Sequence, residues 1–220
     1  MNQSATAATG RFITLEGIEG AGKSTVARVV CDWLKARGIT VQATREPGGT
    51  PLAERVRQVV LERGTEQISP PTETLLMFSA RGIHIENLIR PALARGDWVV
   101  CDRFTDATRA YQGAGRGVSA ELIETLARTV QGDLRPDCTL LLDLPPSVGL
   151  ARARQRSGIA ADRFEAEAAA FFERVRAAYL ALAAAEPHRI RMVDASLDLP
   201  AVQSQVVAIL ESLQVSSPSS

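Results

Sequence analysis

Short apolar runs alternate along the chain with longer segments of helical period, the pattern produced when parallel strands are joined by crossover helices. The runs are Phe12–Leu15, Ile39–Ala43, Trp98–Cys101, Thr139–Leu144 and Ile190–Val193, so five strands are predicted. Helices are predicted over 23–37, 51–63, 72–95, 119–131, 146–156, 165–185 and 199–213. Gly38, Gly64 and Gly96 each follow a helical stretch directly, where a left-handed residue closes the last turn. Pro51 and Pro146 fall at first-turn positions, where a missing N–H costs nothing. With no internal repeat and no long linker, residues 1–220 read as a single α/β domain, with 1–10 and 215–220 as flexible ends. In such sheets ligands sit beyond the carboxyl ends of the strands, which directs attention to the residues just after each run.

Composition narrows the class. The chain has 220 residues, enough for a real core. Its acidic and basic residues cancel to a net charge of zero, whereas a general nucleic-acid binder needs a net basic face. Cys31, Cys101 and Cys138 are far apart and lie in apolar stretches, as free thiols of a reducing cytoplasm do. The first ten residues lack an apolar core of signal-peptide type, and no stretch approaches the roughly 18 apolar residues that cross a membrane. A soluble, cytoplasmic protein is expected.

After the first run stands Gly17-Ile18-Glu19-Gly20-Ala21-Gly22-Lys23-Ser24-Thr25, a complete G-x-x-x-x-G-K-[ST] phosphate loop between strand and helix. Its glycines let successive N–H groups point inward at phosphate oxygens, and the following helix adds its positive end. Lys23 supplies a point charge for the β and γ phosphates of ATP, and the Ser24 hydroxyl completes a Mg²⁺ shell. Lys23 and Lys35 are the only lysines, the other basic residues being arginines.

The third run ends in Asp102-Arg103. Asp102 stands where a carboxylate orients the metal; a strand-end aspartate can also be a plain cap, but a cation beside it favours the phosphate reading. Several classes share such a loop. No N-K-x-D element for guanine is present, and a motor ATPase would carry further coupling elements. A small-molecule kinase needs a second phosphate site and a closing flap bearing arginines. Residues 152–164 suit that lid, with Arg152, Arg154, Arg156 and Arg163 around a Ser157-Gly158 break. Planar guanidinium donors can bridge donor and acceptor oxygens over the transferring group.

These residues resemble bacterial thymidylate kinases of the P-loop nucleoside monophosphate kinase family, from about Arg11 to Ser196. Phe12–Thr25, Thr44–Thr50 (Thr-Arg-Glu-Pro-Gly-Gly-Thr), Asp102-Arg103-Phe104 through Ala110–Arg116, and the lid carry the likeness. The resemblance implies a five-stranded parallel P-loop kinase fold flanked by helices with an arginine-rich lid, transfer of the ATP γ-phosphoryl group to dTMP with Mg²⁺, and a homodimer. It further implies that Arg45 clamps the dTMP phosphate, that Pro47 lies in a turn against the nucleotide, and that Arg103 holds the same phosphate from the other side. Glu19 would meet the deoxyribose 3′-hydroxyl. Phe78 would stack on thymine and Arg81 donate to its exocyclic oxygen, although relatives often place these two residues four apart and this chain places them three apart. The alternative is that Phe78 is core and Met77 lines the pocket. Thr108 and Gln112 would meet the base edge, and Tyr111 would crowd the 2′ position. Ala107 stands where relatives often carry serine. A loop without an arginine beside its glycines, together with Arg156 in the lid, resembles the arrangement in which the lid supplies the catalytic arginine, here Arg156, with Arg163 as its competitor. A kinase for another nucleotide or nucleoside, and a nucleotide-binding regulator without transfer, remain the alternatives.

Overall fold

Each of the five runs carries a strand: β1 (Phe12–Glu16), β2 (Val41–Arg45), β3 (Trp98–Asp102), β4 (Cys138–Asp143) and β5 (Ile190–Asp194). They pair in parallel in the order β2-β3-β1-β4-β5. The computed structural model describes residues 10–62, 66–157 and 165–215, the side chains of 156, 157, 165–168, 214 and 215 excepted.

Helix α1 (Lys23–Lys35) follows β1. β2 starts two residues later than the apolar run suggests, because Ile39 belongs to the end of α1. Gly38 has φ +72, its N–H reaches the Lys35 carbonyl at 2.9 Å, and the Ile39 N–H reaches that of Leu34 at 3.1 Å. This paired closure brings an apolar side chain back onto the helix it ends. Gly96 closes its helix in the same way, with Asp97 donating to Ala92 at 3.0 Å.

Helix α2 (Pro51–Leu61) begins on Pro51, and Thr50 caps the Ala53 N–H. The long helix expected over 72–95 is three pieces: α3 (Pro70–His84), a π-helical turn over Ile85–Ile89, and α4 (Arg90–Ala94). Pro91 explains the break, since it lacks an N–H and its ring crowds the carbonyl four residues back; a widened turn accommodates both. A short helix α5 (Thr105–Thr108) runs into a second π-helical stretch, Arg109–Gly115, which the periodicity does not predict. Then come α6 (Ala120–Gln131), α7 (Pro146–Ser157), α8 (Glu165–Ala185) and α9 (Leu199–Val215). Gly64 and the lid residues 158–164 lie outside the described residues, as do 1–9 and 216–220.

Alternation along the strands builds two apolar layers. Ile13, Leu15 and Val100 join Val30 and Leu34 of α1, Val175 of α8 and Val206 of α9 in one. Phe12, Val99 and Cys101 meet Ile85, Ile89 and Ala92 in the other. All three cysteines are free and buried, so their thiols act as small hydrophobes. With both faces covered, the open ground lies at the carboxyl edge, where Arg45 pairs in register with Asp102 and Leu15 with Asp102 on its other side.

Candidate functional site

A cavity of about 600 Å³ opens at that edge, with residues from the phosphate loop, β2, β3, α3 and the α5 stretch along its walls. At one end lies the phosphate loop. Glu19, Gly20, Gly22, Lys23, Ser24 and Thr25 line the cavity, while Gly17, Ile18 and Ala21 are buried behind it. Gly17, Gly20 and Gly22 have φ values of +138, +82 and +89, a path that side chains resist. Gly20 is fixed sterically as well: a Cβ there would stand 2.2 Å from the carbonyl oxygen of Gly149. The loop thus rests directly on the backbone of α7, the helix that carries Arg152 and Arg154.

Lys23 lies folded along its own loop, its ammonium donating to the Gly17 and Ile18 carbonyls at 3.0 Å each. Burial, with Arg103 nearby, pulls its pKa from 10.5 down to about 8. A charge held at the edge of ionisation, its hydrogen bonds spent on carbonyls, gains most from an approaching polyanion. Asp102 lines the same cavity, close enough to Lys23 to act on its charge. Its Oδ1 is buried and has no hydrogen-bond partner among the described residues, an arrangement that costs free energy unless a ligand satisfies it.

Arg103 follows in the left-handed region at φ +72, a conformation that costs a non-glycine residue on the order of 1 kcal/mol or more. The turn swings its guanidinium over the Tyr111 ring, 4.4 Å from the centroid, with Nη2 donating to the Tyr111 hydroxyl at 3.0 Å. Arg45 and Pro47 complete this wall, Arg45 pairing at the surface with Glu54 at 3.0 Å.

The far end of the cavity is built from side chains of fixed polarity. Arg81 is 3% exposed; Nε donates to Glu46 at 2.7 Å and Nη2 to the Thr108 hydroxyl at 3.0 Å. Its Nη1 is buried without a partner among the described residues. Behind it Glu46 meets Nδ1 of His84 at 3.0 Å, whose Nε2 meets the Thr44 hydroxyl at 2.7 Å. Thr108, Tyr111 and Gln112 line the same end, with Ala107 beside them.

Phe78 is the correction. Its ring is 1% exposed and packs with Val118, Ile123 and Ala127, so it does not reach the cavity, and Met77 stands on the wall instead. Glu73, Met77 and Arg81 are spaced by four residues, a spacing that keeps side chains on one helix face, and the Arg81 guanidinium lies 4.7 Å from the centroid of the Phe78 ring. Arg163 lies outside the described residues, as does the side chain of Arg156. Arg152 donates to the Ala195 carbonyl at 3.0 Å, which ties α7 to the end of β5.

Several site residues were not singled out in the sequence. Arg57 lines the cavity and donates to the Pro47 carbonyl at 2.8 Å. Glu46 was readable only as part of Arg-Glu-Pro-Gly-Gly. Glu16, the last residue of β1, is fully buried and accepts from the Phe104 N–H and the Tyr179 hydroxyl at 2.7 Å each, and from the Ala107 N–H at 3.3 Å. Burial, with Asp106 nearby, pushes its carboxyl from 4.5 up to about 7. The available signal was a carboxylate ending an otherwise apolar strand.

The family model described as thymidylate kinase matches residues 15–206. The thymidylate kinase of Pseudomonas fluorescens is 58% identical over 205 residues, covering 93% of this chain and 97% of that protein. That of Alcanivorax borkumensis is 55% identical over 206 residues, covering 94% and 98%. Among solved structures, the thymidylate kinase of Ehrlichia chaffeensis superposes with a TM-score of 0.74 at 31% identity, covering 92% of this chain and 98% of that one.

Proposed function

The chain belongs to the thymidylate kinase family, and on that premise we propose that it transfers the γ-phosphoryl group of ATP to dTMP, giving dTDP and ADP for dTTP synthesis. One observation carries the reading: a single cavity joins a complete phosphate loop to a wall of fixed hydrogen-bonding polarity at Arg81, Thr108 and Gln112.

The loop residues 17–25 hold the ATP phosphates, with Lys23 against β and γ. Arg45 and Arg103 hold the dTMP phosphate, Pro47 backs the nucleotide, and Glu19 meets the deoxyribose 3′-hydroxyl. Ser24 and Asp102 are the residues that would hold Mg²⁺, and the unpartnered buried Oδ1 of Asp102 supports this fit. Held by these two residues, the ion would supply positive charge against the phosphate oxygens. Arg156, or Arg163 in its place, closes over the transferring group as the catalytic arginine of the lid. No strong base is needed, because the acceptor oxygen is already anionic, so positioning and charge neutralisation dominate.

The protein works as one kinase domain, cytoplasmic and homodimeric, without nucleic-acid or membrane partners. The single sheet supports the first of these. The half-exposed Leu52, Val59 and Leu75 on α2 and α3 support an interface, which light scattering tests. No described helix is long and apolar enough to cross a membrane. The function is tested by ADP release from ATP and Mg²⁺ with each nucleoside monophosphate in turn. Selective release with dTMP is expected; selectivity for another acceptor, or no release with any, overturns the reading.

A further inference from the structure

We infer that Glu73, on α3 outside the reacting centre, is a specificity-determining positioning residue, which fixes the amide of Gln112 so that the site accepts thymine and rejects cytosine. The inference rests on dTMP as the substrate.

Glu73 stands in the first turn of α3, its side chain 12% exposed. One carboxylate oxygen accepts from Gln112 Nε2 at 2.8 Å. The other is 3.1 Å from Arg116 Nη1, whose side chain is half exposed. An ionised carboxylate can only accept, so whichever way a Gln112 amide might turn, its NH₂ must face Glu73. That leaves Oε1, an acceptor, as the group Gln112 offers to the cavity it lines.

Arg81 supplies the complementary half. Glu46 and Thr108 take two of its nitrogens, and Nη1, a donor that cannot become an acceptor, is buried without a described partner. Both residues line the cavity, whose wall is thereby assigned one donor and one acceptor of fixed polarity. Thymine shows the inverse on its Watson–Crick edge, a carbonyl O4 beside an N3–H. Cytosine shows an amino group beside an unprotonated N3, which would set donor against donor and acceptor against acceptor. A site built to hydrogen-bond one edge rejects the other because its buried groups are left unpaired. Without Glu73, the Gln112 amide can turn over at little cost, and half of that rejection is lost.

The test is Glu73→Gln, which keeps size and shape but can present either an oxygen or an NH₂ to Gln112. The kcat/KM ratio of dTMP over dCMP should fall by about tenfold, the worth of one polar contact. The ratio of dTMP over dUMP should stay constant, because uracil carries the same edge as thymine. A merely structural role would lower all three substrates together and leave both ratios alone. Arg116→Met removes the brace on Glu73 from a half-exposed site and should lower the dTMP-to-dCMP ratio by about threefold, an estimate of part of one such contact; it also decides the matter if Glu73→Gln fails to fold. Wild-type preference for dTMP with an unchanged dTMP-to-dCMP ratio in the folded variants overturns the inference alone. A wild-type protein that does not phosphorylate dTMP overturns the substrate assignment and this inference with it.

Discussion

The hydroxyl of Tyr179 on α8 donates to the carboxyl of Glu16 at the end of β1 at 2.7 Å. The same carboxyl accepts the Phe104 N–H at its other oxygen, so one buried group joins α8, β1 and the turn that presents Arg103. Its pKa, raised by burial to about 7, makes this junction pH-dependent. In the unfolded chain the carboxyl ionises near its ordinary value of 4.5, while the folded protein keeps the proton up to about 7. Its contribution to stability is thus complete below 4.5 and is lost as pH rises through about 7. Glu16→Gln should be stabilised relative to the wild type by an amount growing on the order of 3 kcal/mol across that window. Unfolding curves of both proteins from pH 4 to 8 check this; a gap that does not change with pH would falsify it.

Lys23 titrates in the opposite sense. Because burial lowers its pKa to about 8, the free protein loses the ammonium charge above that pH, and kcat/KM for ATP should fall along an alkaline limb centred there. Lys23→Ala should lower turnover by about a hundredfold or more, since it removes a charge aimed at the transferring phosphoryl group. Its circular dichroism should match the wild type. Near-normal turnover in the variant would remove Lys23 from the mechanism.

The contact between Gly20 and Gly149 predicts a coupling between loop and lid helix. In Gly149→Ala the new Cβ would lie 2.6 Å from the Glu19 carbonyl oxygen, so the phosphate loop must shift. A loss of stability of about 1–3 kcal/mol is expected for such crowding, together with a raised KM for ATP. Steady-state kinetics that match the wild type would show that the loop tolerates the shift.

Met77 and Phe78 should separate cleanly. Phe78→Ala removes a ring from the core and should cost about 3–5 kcal/mol of stability. Met77→Ala should leave the unfolding midpoint nearly unchanged and raise KM for dTMP. The reverse pattern would put the Phe78 ring back at the base.

Periodicity revealed the five strands and most of the helices, because burial on both faces of a parallel sheet demands continuous apolar runs. It placed β2 too early, since Ile39 is apolar for the sake of the α1 end and not for the sheet. It also missed the helical stretch from Thr105 to Gly115, where Gly113 and Gly115 carry poor helix propensity and tertiary packing sets the conformation. At the site, the phosphate loop was legible because backbone, charge and metal chemistry all fall within nine consecutive residues. Glu16, Glu73 and Arg57 were not, because each acts on a partner distant in sequence. Phe78 and Met77 differ by one helical step of 100°, and spacing alone does not say which of two neighbouring apolar residues faces the cavity.

On the proposed function, a phosphoryl group passes from ATP to dTMP within one cavity. Phosphorus NMR of the protein with ATP, Mg²⁺ and dTMP follows that group directly. Loss of the ATP γ signal should be matched, mole for mole, by the two signals of dTDP and by those of ADP. Release of inorganic phosphate with dTMP unchanged, or no loss of the γ signal at all, would contradict it.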